Sequence, residues 1–279
     1  MTTVKHRTAR TRQWKAWSGT RQDIERIGRA ARTLFDKRAD SYINAVRADL
    51  DEDLVGKVLE NEMDRVQSRM EFVATVTHGS DSSIGPLDDV LRELDRRSVS
   101  RMSIVGDVDG YGREQIKVEM IWSGDDSYAR PGVTLEVNSY ELGWANEAVA
   151  TMSSEIDKGR PKWDVVHHIA ARIALQTVLS SMILTIELWV ILSLLGYGRD
   201  DKLYFSSPGN PLLWMLLVCG TTAVLITVLF MRDKSYHWIF PPVEIRGDGQ
   251  DSTTIRRVAL FVSPLVAFVL GLLVNVVSG

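Results

Sequence analysis

Three long apolar stretches crowd the last third of the chain, at residues 173–195, 211–231 and 258–277. Wound as helices at about 1.5 Å rise per residue, each reaches roughly 30 Å, the thickness of a bilayer's hydrocarbon core. The residues before 164 have the mixed polarity of a water-facing domain. The sequence therefore predicts an α+β cytoplasmic domain followed by an all-α transmembrane bundle of three helices. The expected divisions are a basic N-terminal arm over 1–19, a soluble α+β domain over 20–163, and a transmembrane domain over 164–279. The average composition hides this division, since a net charge of −3 and 45% hydrophobic residues over 279 positions look globular. The single cysteine, Cys219, excludes an intrachain disulfide, so nothing points to a stapled extracellular head.

The N-terminal segment is basic. Lys5, Arg7, Arg10, Arg12, Lys15 and Arg21 all precede the first acid, Asp23, with Trp14 and Trp17 interleaved. Such a segment suits a lipid-surface arm, each cation near anionic headgroups contributing about 1 kcal/mol, with indoles at the interface. A solvated, disordered arm is the competing reading. Nucleic acid is not an expected partner, and no secretory signal opens the chain.

Orientation follows from the Lys and Arg that flank the apolar stretches, because cytoplasmic flanks carry the excess. Lys158, Arg160, Lys162 and Arg172 precede the first stretch, and Arg232, Lys234, Arg246, Arg256 and Arg257 separate the second from the third. Only Arg199 and Lys202 lie between the first two. The expectation is a multi-pass protein of the plasma (inner) membrane, with its N-terminus cytoplasmic and its C-terminus outside.

Periodicity organises the head. Thr20 can cap a helix with Ile24, Ile27, Ala31 and Leu34 inward, and residues 51–70 repeat the pattern with Val55, Leu59, Val66 and Met70. The period then changes to two, at Phe72, Ala74 and Val76, at Met102 and Ile104, at Ile116, Val118, Met120 and Trp122, and at Val133, Leu135 and Val137. Pro86 starts a helix between the first two strands, and Trp144, Ala148, Met152 and Ile156 line a last one. The expected order is α-α-β-α-β-β-β-α, an antiparallel sheet covered on one face. The other face, with Lys117, Glu119, Thr134 and Glu136, is left for water or a partner.

Candidate chemistry gathers on the apolar stretches. Glu187 is costly inside a bilayer, and at about 100° per residue His168, Arg172, Gln176 and Ser180 share its stripe. Thr221 or Thr222 lies at a matching depth as its hydrogen-bond partner. Glu187 reads either as a protonated contact between helices or as a site in a conduction path. On the third stretch Ser263, Ala267, Gly271 and Asn275 recur every four residues, the spacing that lets two helices pack closely. His167 and His168 diverge on a helix, and no metal-ligand spacing emerges from the remaining histidines. Asp107, Asp109 and Glu114 resemble a fragment of a calcium loop whose glycine falls too early, so a hairpin turn is the better reading. The run 238–242 reads as an interfacial anchor that can dock the head.

No phosphate-cradling glycine loop, nucleophile elbow, HExxH motif or usable thiolate is present, so neither an enzyme nor a cofactor is expected. The functional expectation is a membrane-anchored sensor or interaction module. Its partners would be the bilayer, other copies through their transmembrane helices, and a cytosolic protein or small ligand. The alternative is an oligomeric pore or membrane effector gated by the head.

Overall fold

Reciprocal capping starts the longest helix among the described residues. The Thr20 hydroxyl accepts a hydrogen bond from the Asp23 amide at 3.3 Å while the Asp23 carboxylate accepts one from the Thr20 amide at 2.8 Å. Burial by itself would raise the Asp23 pKa, but these bonds and the nearby Arg26 hold it below the usual aspartate range. The helix that follows, α1 (Arg21–Asp51), buries Ile24, Ile27, Ala31 and Leu34 along one stripe.

In this computed structural model the described residues are 7–51, 57–94, 99–122, 132–162, 164 and 240–247, together with Ile173, Ala174, Thr177, Ser181, Thr185 and Gly220. Two compact units are distinguished. The first comprises Met1–Asp164 and Pro241–Gly279, the second Val165–Phe240. In the second unit Thr177 and Thr185 donate their hydroxyls to the carbonyls of Ile173 and Ser181, at 2.9 and 2.8 Å, as helical threonines do.

The first unit is built on a six-stranded antiparallel sheet in the order β1-β7-β6-β5-β3-β4. Its strands are β1 (Thr8–Trp14), β3 (Glu71–His78), β4 (Asp81–Gly85), β5 (Val99–Asp107), β6 (Gln115–Ile121) and β7 (Gly132–Ser139). A separate parallel pair joins β2 (Trp17–Thr20) to β8 (Val243–Arg246). The helices α2 (Lys57–Gln67), α3 (Leu87–Glu93) and α4 (Leu142–Asp157) complete the unit with α1. Alternation decides which face is covered. Ala74, Val76, Met102, Ile104, Ile116, Val118, Met120, Val133, Leu135 and Val137 are buried on one side, in a single core with Trp144, Ala148, Met152 and Ile156 of α4. On the opposite side Arg101 pairs with Glu119, Lys117 lies 3.5 Å from Glu119, and Asn138 donates to Glu136 at 2.9 Å. The charges of that face largely satisfy one another.

The four-residue strand β2 holds two remote segments. The Ser18 amide donates to the Gly159 carbonyl at 2.7 Å and the Trp17 amide to the Pro242 carbonyl at 2.9 Å. The Ser18 hydroxyl adds a bond to buried Glu244 at 3.0 Å. The residues directly after the 238–242 run thus dock against the head as a strand.

These findings correct the expected architecture. The order is β-β-α-α-β-β-α-β-β-β-α-β rather than α-α-β-α-β-β-β-α. The transmembrane bundle is not seen, because among the described residues no helix is long and apolar enough to cross a membrane. Of the described helices α1 alone has the length, and it carries Arg29, Arg32, Asp36 and Lys37 within nine residues. Each such charge costs about 2.5–3.5 kcal/mol at a bilayer centre. The expectation of a multi-pass plasma-membrane protein with an outside C-terminus, and the gated pore offered as its alternative, lose their support on the same finding. The stretches 173–195, 211–231 and 258–277 lie outside the described residues apart from the six positions named above.

Gly132 sets how closely β1 approaches β7. Its φ is +125°, and a Cβ there would collide with the Trp14 carbonyl oxygen. Gly132→Ala is expected to cost about 1–3 kcal/mol from the backbone strain alone. A denaturant midpoint indistinguishable from that of the parent chain would contradict this placement.

Candidate groove between the first strand and the last helix

Within the basic N-terminal segment, expected as a lipid-surface arm, Thr8–Trp14 form an edge strand of the sheet. Trp14 is 4% exposed and Trp17 fully buried, so neither indole is presented to an interface. Across β1, Arg10, Arg12 and Trp14 register with Val137, Leu135 and Val133 of β7, which places them on the helix-covered face. Arg7 donates to the Gly112 carbonyl at 3.2 Å, and Lys15 is exposed after the strand. Lys5 lies outside the described residues, as do His168, Arg172, Gln176, Ser180, Glu187, Thr221, Thr222, Ser263, Ala267, Gly271 and Asn275.

Arg10 and Arg12 do not reach the core. They line a groove of about 800 Å³ between β1 and the flank of α4, where they meet Asn146, Ser153, Asp157 and Lys158. Asp157 is committed on both oxygens. It accepts the Trp14 indole N–H at 2.6 Å and the Arg12 guanidinium at 3.2 Å, and that guanidinium lies 4.9 Å from the Trp14 ring centroid. Lys158 donates to Glu155 at 2.6 Å, and Arg26 donates to the other Glu155 oxygen at 2.7 Å. Lys158 and Arg26 hold the Glu155 carboxyl below its ordinary range against the opposing effect of burial. Arg10 makes no ion pair or hydrogen bond among the described residues.

Ser153 is the anomaly of the groove. It is 3% exposed, and its hydroxyl has no hydrogen-bond partner among the described residues. A helical serine ordinarily donates to the carbonyl four residues back, and leaving a buried hydroxyl unpaired costs about 1–3 kcal/mol. The sequence reading missed this site. The signal available was a serine at an inward position of α4, next to Met152 in the stripe that also holds Ala148 and Ile156.

A second polar cluster lies deeper. Glu114 accepts two parallel bonds from Arg38, both at 2.8 Å, with further bonds from the Ser139 hydroxyl at 2.7 Å and the Tyr140 amide at 3.0 Å. Arg38 also pairs with Glu141. Every group there has a partner, so this cluster fastens α1 to the β5–β6 turn and the start of α4.

The Asp107–Gly112 segment is a self-satisfied turn. One Asp109 oxygen accepts the amides of Tyr111, Arg113 and Glu114, while Asp107 accepts those of Asp109, Gly110 and Gly112. Burial and the adjacent Asp109 carboxyl raise the Asp107 pKa. Burial pushes Asp109 upward too, but the amide bonds from Tyr111, Arg113 and Glu114 bring it below the usual range. Among the described residues no group of His, Cys, Asp or Glu is placed to hold a metal ion.

Comparison with protein-family models, with curated proteins and with solved structures finds no match to this chain. The meaning of the groove rests on its own geometry.

Proposed function

We propose that this chain is a binding module whose groove between β1 and α4 takes an anionic ligand. The observation that carries this reading is the guanidinium of Arg10, which lines the groove with no partner among the described residues, together with the buried, unpartnered hydroxyl of Ser153 in the same lining. A ligand oxygen accepting from Arg10 would form a charge-assisted bond, and a second one admitted to Ser153 would satisfy an otherwise costly hydroxyl. The groove's one carboxylate, Asp157, opposes this little because Arg12 already neutralises it. The open sheet face supports the reading less well, since its charges pair among themselves.

Calorimetric titration of the full chain with inorganic pyrophosphate tests the proposal. Arg10→Ala should weaken binding about tenfold or more, the value of one charge-assisted bond. Ser153→Ala should also weaken it, yet leave the unliganded fold as stable as before or up to about 1 kcal/mol more stable, because an unsatisfied hydroxyl is removed. Equal affinity in all three chains would overturn the reading. So would a Ser153→Ala chain that loses stability while keeping its affinity, because the hydroxyl would then be structural.

A further inference from the structure

We infer that the anionic ligand of this groove is an acidic segment of extended chain, which adds to β1 as a seventh strand of the sheet. The inference rests on the binding reading above and specifies its ligand.

The sheet order leaves β1 at one end, paired on one side with β7 and, among the described residues, with no strand on the other. An unpaired edge offers a row of backbone donors and acceptors, which an incoming extended segment can pair with along its length. Five of the seven residues of β1 are exposed, so the edge is open over nearly its whole run. Natural edge strands are often protected by being very short, by proline, or by a bulge. The seven residues of β1 include no proline, and its register with β7 runs without a break from Thr8 to Trp14. What guards the edge is charge, at Arg10 and Arg12. Positive charge repels a second copy of the same basic strand and admits an acidic one.

Geometry sets the pattern of that segment. Arg10 and Arg12 are two residues apart on one strand, so they project on the same side, roughly 6.6–6.8 Å apart along the chain. Acids at alternate positions of an added strand would repeat this spacing, about 4.5–5.5 Å from Cβ to Cβ across the pair, one facing Arg10 and the next sharing Arg12 with Asp157. Those acids would lie under the flank of α4, where Asn146 and Lys158 supply further donors. The intervening side chains would project toward the open face, beside Ala9, Thr11 and Gln13. A groove that is long and open along a strand edge matches an extended peptide better than a compact small molecule, which an enclosed cavity would bury on most sides.

The test uses the full chain and a fluorescein-labelled peptide that alternates glutamate with valine over the length of β1, read by fluorescence polarisation. The expected result is binding that Arg10→Glu weakens at least tenfold and that added salt weakens further. Backbone N-methylation should show an edge preference, with methylation of either the glutamates or the valines abolishing binding and the other pattern tolerated. A peptide of the same composition with its glutamates in one block should bind at least tenfold more weakly. If the alternating, blocked and both methylated peptides bind alike, charge and not strand pairing is being read, and the inference is overturned. If pyrophosphate binds in an Arg10-dependent way and no peptide does, the strand inference fails while the anion-binding reading stands. If neither binds, both fail.

Discussion

Replacing Glu114 with alanine is expected to lower the unfolding free energy by about 3–5 kcal/mol, because it strips the buried Arg38 guanidinium of its two-bond partner and leaves it only the solvent-exposed Glu141. The side chains of Arg38 and Glu114 are 11% and 2% exposed, so little water reaches the pair to screen it or to replace a lost partner. Glu114 also holds the Ser139 hydroxyl and the Tyr140 amide, and the same change orphans both. The loss should therefore exceed what a surface ion pair contributes, about 0–1 kcal/mol. Replacing both Arg38 and Glu114 with leucine should recover much of it, since a buried pair exchanged for apolar side chains is often close to neutral. Urea unfolding followed by circular dichroism would measure these differences. A Glu114→Ala chain within about 0.5 kcal/mol of the parent, the usual spread for surface changes, would place the pair in solvent.

Trp17→Ala is the second large effect, at about 3–5 kcal/mol for truncation of a fully buried aromatic. The indole packs against Gly159, where a Cβ would collide with its ring, and its residue registers with Val243 of β8. Removing it opens a cavity at the point where β2 holds both the chain after α4 and the returning strand. Hydrogen exchange should accordingly rise at Val243–Arg246 as well as at β2 itself. Were Trp17 an interfacial indole on a free arm, the substitution would leave the stability of the sheet unchanged. An alanine variant with the parent's unfolding midpoint would contradict its place in the core.

The elements that were legible in the sequence share one property, a clean period carried by apolar residues. Ile24, Ile27, Ala31 and Leu34 marked α1, and the alternation through Ile116, Val118 and Met120 marked β6, because each pattern is the direct imprint of one buried face. The strands that were missed lack that imprint. In β1 the helix-side positions after Thr8 are Arg10, Arg12 and Trp14, so an edge strand with two arginines on its covered side reads as a basic tail. The strand β4, DSSIG, is short and polar, and β8 is four residues whose partner lies 226 positions away at Ser18, a pairing that local patterning cannot see. The groove was hidden for a related reason. Ser153 falls on the α4 stripe beside Met152, and only the packing of β1 against that flank shows that its hydroxyl is stranded. The expected bundle rested on apolar length alone, and among the described residues no helix combines the length and the apolar composition that crossing a membrane needs.

The anion site is tested most directly by amide hydrogen exchange on the full chain with and without saturating inorganic pyrophosphate, followed segment by segment. The account predicts slower exchange concentrated in Thr8–Trp14 and Leu142–Asp157, the two walls of the groove, and loss of that protection in the Arg10→Ala chain. Protection that arises elsewhere in the chain, or that persists unchanged without the Arg10 guanidinium, would contradict it.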